Sequence, residues 1–296
     1  MIVILNSTAG QKPGGEQEKI AALFRAHGVE AHVIRAEDGS SLCKLARKAV
    51  ADGEQIIVAG GGDGTISAVA AELVDSGKTL GVLPLGTLNH FAKDLKIPQE
   101  VEAAIAVIVA GHVQQVDVGE VNGSIFVNNS SLGLYPRIVS KREQQQEQLK
   151  RGKWPAFVSA SIDAFRRYPF MNLRIAFEGK QLLRRTAFVF IGNNEYEVAG
   201  FKLGGRKCLN AGNLGLYLTH RTGRLGMLRL AFRALFGRVN QAADFDSFCV
   251  EEALIETRKK KLLVATDGEV TMMATPLRYR IRRSALRVIV PGEAVE

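Results

Sequence analysis

The residues best suited to chemistry form a glycine-rich segment, GGGDGT, at residues 60–65. It lies between an apolar run at 55–59 and a helical pattern that includes Ile66. Glycine lets a backbone approach a phosphate without a Cβ clash, and the N–H groups at a helix start attract anions. Thr65 is expected to cap this helix, and the Asp63 carboxylate is expected to reach a magnesium ion. The segment predicts a nucleotide phosphate site, with a tight strand-to-helix turn as the alternative.

Two further loops are expected to lie at the same edge of a sheet. The segment PLGTLNHFAKDL at 84–95 follows the next apolar strand, and Asn6 ends the first strand of the chain. Loops at the carboxyl ends of parallel strands converge on one crevice, so Thr87 and Asn89 are expected to face a bound nucleotide. Taken alone, each loop is also explained as an ordinary turn. The chain has neither a Walker lysine motif nor GxGxxG spacing, which disfavours the common nucleotide folds.

A third candidate segment, Asp267-Gly268-Glu269, lies between two strand-like runs near the end of the chain. Its two carboxylates are candidates for acid-base work. The pair Asp-Gly is favoured in β-hairpin turns, however, so composition alone indicates a hairpin turn with no catalytic role.

The elements that must position these residues change character along the chain. Apolar strands alternate with amphipathic helices through the first hundred residues, which is typical of parallel strands joined by helical crossovers. After about residue 112 strands and hairpin signals dominate, such as Asn122-Gly123. The predicted fold class is α/β, with a doubly wound N-terminal nucleotide-binding domain and a β-rich C-terminal sandwich domain. The predicted domains are 1–118, completed by a returning segment at 284–296, and 119–283.

Composition places the chain among globular proteins, with 46% hydrophobic and 23% charged residues. No apolar run approaches the length of a membrane-crossing helix, and the N-terminus has no basic leader, so a cytoplasmic location is expected. The net charge of +9 favours polyanions: nucleic acid, phosphorylated ligands or an anionic bilayer. Three widely spaced cysteines fit neither a zinc site nor a disulfide framework, and are expected to be buried thiols: Cys43, Cys208 and Cys249.

Together these segments resemble the diacylglycerol kinase catalytic family, which includes bacterial lipid kinases and is related to sphingosine and ceramide kinases. The family's NPxAG-like loop corresponds to NSTAG at 6–10, and its GGDGT turn to 61–65. Its PxGTxNDFA loop corresponds to 84–92, with His90 in place of Asp. A pattern like DxGxxNGxxFxNxxxxG opens its second domain and corresponds to 117–133. The matches run in order over nearly the whole chain.

The resemblance implies an ATP-dependent kinase that phosphorylates a lipid hydroxyl, with ATP and Mg²⁺ as cofactors. The implied nucleotide-binding residues are Asn6, Gly60, Gly61, Gly62, Asp63, Gly64, Thr65, Thr87 and Asn89. The implied metal ligands are Asp63 and Asp117, and the implied catalytic residues are Asp63, Asp267 and Glu269. In this family Glu269 would be the general base, which accepts the hydroxyl proton as the oxygen attacks the γ-phosphorus.

Two positions depart from the family pattern. His90 replaces a carboxylate, and a histidine is not an equally hard ligand for Mg²⁺. The segment LNAGN at 209–213 occupies the LDDG position, where Ala211 removes a carboxylate associated with a structural magnesium. A modified metal arrangement is therefore expected.

The expected partners are a lipid substrate and, peripherally, an anionic membrane. The basic amphipathic stretch at 221–238, with Arg229 and Arg233 on one helical face, fits such an interface or a helix packed on the second domain. Nucleic acid fits less well, because no known binding motif is present. Two alternative functions remain: a GGDG-type kinase of a soluble substrate such as NAD, and a non-catalytic nucleotide or lipid sensor. No feature of the sequence indicates an oligomeric state.

Overall fold

The computed structural model describes residues 1–6, 15–134, 136, 170–199, 202–206, 208–219 and 245–292. Residues 7–10 of the first loop and the basic stretch at 221–238 lie outside the described residues. The chain divides into two compact units. The first unit comprises Met1–Val118, Cys208–Asn210 and Arg282–Glu296; the second comprises Gly119–Lys207 and Ala211–Ile281.

The first unit is built on parallel strands in the order β2-β1-β3-β4. These strands are β1 (Ile2–Asn6), β2 (His32–Ala36), β3 (Ile56–Gly61) and β4 (Thr79–Pro84). Helices connect or follow them: α1 (Glu16–Ala26), α2 (Gly39–Ala51), α3 (Asp63–Leu73), α4 (His90–Asp94) and α5 (Val101–Ala110). Since β2 and β3 lie on opposite sides of β1, the order changes direction there, and the carboxyl ends of β1 and β3 form a topological switch point.

Apolar residues on the inner faces of these elements explain the packing of the first unit. Val58 and Val82 of the sheet are almost inaccessible, as are Ile66 and Val69 on one side of α3. Continuous burial along β3 and β4 is characteristic of parallel strands covered by helices. In the same unit, Arg287 and Val288 of β18 (Leu277–Ile289) pair in parallel with β4.

The second unit is rich in β-structure. One antiparallel sheet is formed by β7 (Asn129–Gly133), β10 (Phe188–Asn193), β13 (Leu214–Thr219), β14 (Phe245–Val250), β16 (Lys261–Thr266) and β17 (Glu269–Ala274). Its strand order is β14-β13-β10-β7-β16-β17. A second group of strands comprises β8 (Met171–Phe177), β9 (Lys180–Thr186) and β15 (Glu252–Glu256), and β15 pairs with the first half of β18. Side chains from both sets form one core, which includes Ile175, Val189, Leu216, Ile255, Val264 and Tyr279.

This architecture confirms the predicted fold class, an α/β N-terminal part with a C-terminal β-sandwich. Both predicted hairpin turns are present. Asn122 and Gly123 join β5 (Val113–Val121) to β6 (Ser124–Phe126), and Asp267 and Gly268 join β16 to β17. All four residues have positive φ angles, as a type I′ turn requires. The remaining described strands, β11 (Tyr196–Ala199) and β12 (Lys202–Arg206), pair with each other.

The cysteine prediction was wrong for two of the three residues. Cys208 and Cys249 are exposed, and only Cys43 is partly buried. Cys249 lies at an outward-facing position of β14, because side chains alternate between the two faces of a strand. No helix within the described ranges is both long and apolar enough to cross a membrane.

Candidate functional site

The glycine-rich segment forms the junction between β3 and α3. The strand ends at Gly61, Gly62 is the extended N-cap residue, and α3 begins at Asp63. A Cβ atom on Gly61 would lie 2.4 Å from Oγ1 of Thr65, so the junction requires glycine there. No described side chain caps α3. Its first N–H groups therefore remain suited to an anionic ligand.

Thr65 does not cap α3, contrary to the sequence-based expectation. It lies inside the first turn, it is almost completely buried, and its Oγ1 accepts a hydrogen bond from Nδ2 of Asn6 at 3.0 Å. The capping interpretation failed because the helix starts two residues before Thr65. This hydrogen bond ties the end of β1 to the start of α3 across the switch point, so Asn6 and Thr65 are indeed neighbours.

The loop after β4 packs directly on the β3–α3 junction. The N–H of Leu85 donates to the carbonyl of Gly61 at 3.0 Å. A Cβ on Gly86 would lie 2.4 Å from Cα of Gly62, so the backbones touch because both residues are glycine. Nearby, Thr87 and His90 are exposed. The sequence-based prediction of converging loops is thus confirmed for the described part of this edge.

Asn89 shapes this loop from within. It is buried and has the left-handed φ of 49°. Its Oδ1 accepts from the N–H of Gly86 at 3.0 Å, and its Nδ2 lies within hydrogen-bonding distance of the carbonyl oxygens of Pro84 and Gly86 and of Oε1 of Gln99. The amide is therefore used inside the loop. A direct contact between Asn89 and a nucleotide stays a prediction, and so does one by Thr87.

The Gly86→Ala variant should test whether the close approach of the two loops matters. The new Cβ would meet backbone rather than a flexible side chain, so we expect a loss of about 1–3 kcal/mol in unfolding free energy. We also expect weaker ATP binding, measured by calorimetry. Gly39→Ala is the matched control, because a Cβ there meets nothing within 4 Å. Equal behaviour of the two variants would show that the loops have room to separate.

Asp63 links the two loops and has a suitable environment for a magnesium-bound nucleotide. Its Oδ1 accepts a hydrogen bond from the N–H of Phe91 at 3.2 Å, at the start of α4, and the residue is half-buried. Mg²⁺ in phosphotransferases is commonly held by one or two carboxylates together with substrate phosphates. A single half-buried carboxylate beside an uncapped helix N-terminus fits that mode of binding. Within the described ranges, no group of three or more Asp, Glu, His or Cys side chains could form a metal cage.

Asp117 is fixed inside the first unit. It is 1% exposed, its Oδ1 accepts from the N–H of Ser284 at 2.8 Å, and its own N–H donates to the carbonyl of Leu209 at 2.7 Å. The first of these bonds holds the carboxylate against the backbone of β18. Its role as a metal ligand stays a prediction.

The backbone of Ala211 is held within the second unit. Its N–H donates to Oδ1 of Asn194 at 3.0 Å, and the residue is exposed. An alanine side chain offers no oxygen, so position 211 cannot ligate a metal as an aspartate would.

The carboxylate of Asp267 anchors the β16–β17 turn to the start of β7. It accepts hydrogen bonds from the N–H groups of Val127, Asn128 and Asn129 at 2.8, 2.8 and 3.0 Å. Its own N–H donates to the carbonyl of Asn129 at 2.8 Å. Three N–H donors hold this carboxylate in place and thereby fix the turn. A catalytic role for Asp267 stays a prediction.

Glu269 begins β17, the strand at one end of the six-strand order. It is exposed and lies opposite Thr266 in the hairpin. The anchored Asp267 fixes the backbone two residues before it. Glu269 thus combines an accessible carboxylate with a rigid main chain, which suits a group that must meet a substrate.

The interior beneath this turn is also polar. The hydroxyl of Ser130 donates to the carbonyl of Ala265 at 2.9 Å and lies 3.0 Å from the hydroxyl of Tyr279. Burial raises the pKa of Tyr279 well above its ordinary value, so this phenol stays neutral. These bonds connect β7, β16 and β18 directly below the hairpin.

Sequence reasoning missed Arg206. This buried side chain donates through Nη1 to the carbonyls of Val127 at 2.6 Å and Asn193 at 3.1 Å, and through Nη2 to Oδ1 of Asn128 at 3.1 Å. Its guanidinium carbon lies 5.4 Å from the ring centre of Tyr196. It therefore holds the segment that also receives Asp267. Nothing in the local sequence distinguishes Arg206 from the other basic residues, because its partners are distant along the chain.

Comparisons with known proteins agree with this geometry. Residues 1–121 match the family model described as the diacylglycerol kinase catalytic domain. Residues 138–290 match the model of the YegS C-terminal NAD kinase beta sandwich-like domain, which covers more than half of the chain.

Two relatives carry lipid-kinase names. A protein of Klebsiella pneumoniae (strain 342) named "Probable lipid kinase YegS-like" is 31% identical over 147 residues, 49% of each chain. A protein of Staphylococcus aureus (strain MRSA252) named "Diacylglycerol kinase" is 27% identical over 205 residues, 68% of this chain and 64% of the relative. The chain thus matches about half to two thirds of the length of these relatives.

Solved structures show the same fold. The crystal structure of a diacylglycerol kinase from Bacillus anthracis str. Sterne has a TM-score of 0.70 and 21% identity, and the match covers 99% of this chain and 97% of that chain. A second solved structure from the same organism has a TM-score of 0.77 and 23% identity, with coverage of 99% and 98%. At these identities, both structural similarities are evidence for the fold alone.

Proposed function

The chain belongs to the lipid kinase family that joins a diacylglycerol kinase catalytic domain to a YegS-type C-terminal domain, and on this premise we propose that it transfers the γ-phosphoryl group of ATP to a hydroxyl of a diacylglycerol-like lipid at a membrane surface. One observation about individual residues supports the proposal most directly. The uncapped start of α3 lies at the switch point of a parallel sheet, with the Asp63 carboxylate held beside it.

In the proposed mechanism the first unit binds the nucleotide. The N–H groups of the segment 62–65 point to phosphate oxygens, and the glycine contact between the two loops keeps these donors in place. Asp63 would hold the Mg²⁺ that accompanies ATP. The ion would neutralise charge on the phosphate oxygens during transfer.

The second unit supplies the base. Glu269 accepts the proton of the lipid hydroxyl as the hydroxyl oxygen attacks the γ-phosphorus, and ADP leaves with the electron pair of the broken P–O bond. Asp267 acts through the backbone, by fixing the turn that precedes Glu269. This division between a positioning and a reacting carboxylate matches the accessibility of the two groups: Asp267 is half-buried and Glu269 is exposed.

Labelled ATP offered with a panel of acceptors tests the proposal. Diacylglycerol, phosphatidylglycerol, a polyprenol and a sphingoid base would be dispersed in detergent beside soluble NAD, with a chelator as the control. We expect label in a lipid product, strongest with the diacylglycerol-like acceptor. Label in NAD alone would assign the chain to kinases of a soluble substrate. ATP binding with no transfer to any acceptor would instead indicate a sensor, which the changed residues His90 and Ala211 would explain.

A further inference from the structure

A strongly basic surface lies at one end of the second unit, far along the β16–β17 hairpin from Glu269. We call it the basic end. Its side chains come from the middle of β8, the second half of β9 and the segment that leads from the β15–β16 turn into β16: Arg174, Leu183, Arg184, Arg185 and residues 258–261. Residues 259–261, which we call the lysine turn, are held by Thr275. Its N–H and Oγ1 donate to the carbonyls of Lys260 and Lys259.

The positive charge of the basic end exceeds what local acids neutralise. Arg174 lies 3.6 Å from Glu256, and Arg184 lies 3.5 Å from Asp246. By contrast, Arg258, Lys260 and Lys261 are exposed and make no ion pair with a described residue. Arg185, also exposed, lies over the ring of Phe170 at 5.0 Å. A local excess of exposed cations attracts a polyanionic partner.

An exposed apolar side chain accompanies this charge. Leu183 is 68% exposed, pairs with Arg174 of β8 and precedes Arg184 and Arg185 on β9. It is the most accessible large apolar side chain in the described part of the second unit. Cations beside accessible apolar groups are typical of surfaces that meet a lipid headgroup layer, where both kinds of side chain find partners.

We propose that the basic end docks the protein on the anionic headgroup layer of a bilayer. The choice of a bilayer over other polyanions rests on the proposed lipid kinase function, whereas the charge and the apolar exposure do not depend on it. The lysine turn meets lipid phosphates, and Leu183 enters the layer between the headgroups.

The β16–β17 hairpin connects the docking surface to the reacting carboxylate. Lys261 pairs with Ala274 at one end of the hairpin, and Thr266 pairs with Glu269 at the other. At a rise of about 3.4 Å per residue, the two ends are separated by roughly 17 Å along the strands. A protein docked through Lys261 and its neighbours therefore holds Glu269 within roughly 17 Å of the headgroup layer.

The test measures sedimentation of the full chain with phosphatidylcholine vesicles that contain or lack phosphatidylglycerol. The variant K259Q/K260Q/K261Q removes three charges but keeps the backbone bonds to Thr275. Each basic residue near an anionic surface contributes roughly fivefold to partitioning, so we expect about 100-fold weaker binding to anionic vesicles. The control K19Q/K44Q/K48Q removes three exposed lysines of the first unit and should bind nearly as the parent does.

Three outcomes would overturn the proposal: equal losses in both variants, equal binding of the parent to neutral and anionic vesicles, or a preference for duplex DNA that the first variant abolishes. Kinase assays on detergent-dispersed lipid separate this proposal from the proposed function. Vesicle binding that depends on residues 259–261 without any lipid phosphorylation would support the docking surface and contradict the proposed kinase function.

Discussion

The Glu269→Gln variant is expected to lose about 10³-fold in kcat while it binds ATP as tightly as the parent. A general base typically contributes 10²- to 10⁴-fold, and glutamine has the same shape but cannot take a proton at neutral pH. Because Glu269 is exposed at the first position of β17, the substitution should leave the hairpin intact. The ground-state affinity for the lipid should change little, since the base acts on the hydroxyl during transfer.

Initial rates with a saturating lipid acceptor, beside ATP titrations by calorimetry, would measure both quantities. Glu252→Gln is a close control, because Glu252 is also an exposed glutamate at the first position of a strand in the second unit. Undiminished turnover in Glu269→Gln would remove Glu269 from the mechanism. A comparable loss in the control would show that the assay responds to surface charge.

The features that could best be predicted from the sequence are those that depend on residues close together along the chain. The alternation of apolar strands and helices gave the α/β class, and the pairs Asn122-Gly123 and Asp267-Gly268 gave two turns that have the required positive φ angles. The glycine segment was correctly located between β3 and α3. Each of these features follows from backbone sterics or from a short apolar period.

Contacts between distant segments were not predictable in this way. Asp267 and its three N–H donors are separated by 138 to 140 residues, and Arg206 lies 79 residues from Val127. The sequence also did not show the internal hydrogen bonds of Thr65 and Asn89, because a motif does not reveal where a side chain finds its partners. Thr65 bonds Asn6, and Asn89 bonds its own loop, while a nucleotide contact by either residue stays a prediction.

These distant contacts bear on how the two departures from the family pattern act. His90 is exposed at the start of α4, while the neighbouring N–H of Phe91 donates to Asp63. The position of the Asp63 carboxylate is therefore maintained by main chain and does not require an aspartate at position 90. Ala211 likewise keeps its N–H bonded to Asn194. Both backbone hydrogen bonds are made without an aspartate at either position, so we expect the two changes to affect metal binding rather than the local backbone.

The Asp267→Ala variant is expected to unfold with a free energy about 2–4 kcal/mol lower than that of the parent. The substitution leaves the N–H groups of Val127, Asn128 and Asn129 without their acceptor, and hydrogen bonds to a charged group are among the stronger ones in proteins. Asp267→Asn keeps one acceptor oxygen in place and should lose less. Urea unfolding, monitored by circular dichroism, should give a free energy of unfolding that decreases from the parent to Asp267→Asn and then to Asp267→Ala.

A matched control and a second readout separate positioning from general stability. Glu256→Ala removes a carboxylate of the same unit whose partner, Arg174, is 56% exposed, and such pairs contribute about 0–1 kcal/mol. At a temperature where Asp267→Asn is fully folded, its kcat should still fall, because the backbone before Glu269 is less firmly held, while ATP affinity stays unchanged. Full turnover in that folded variant would limit Asp267 to stability, and a parent-like urea midpoint for Asp267→Ala would show that the three N–H groups find other acceptors.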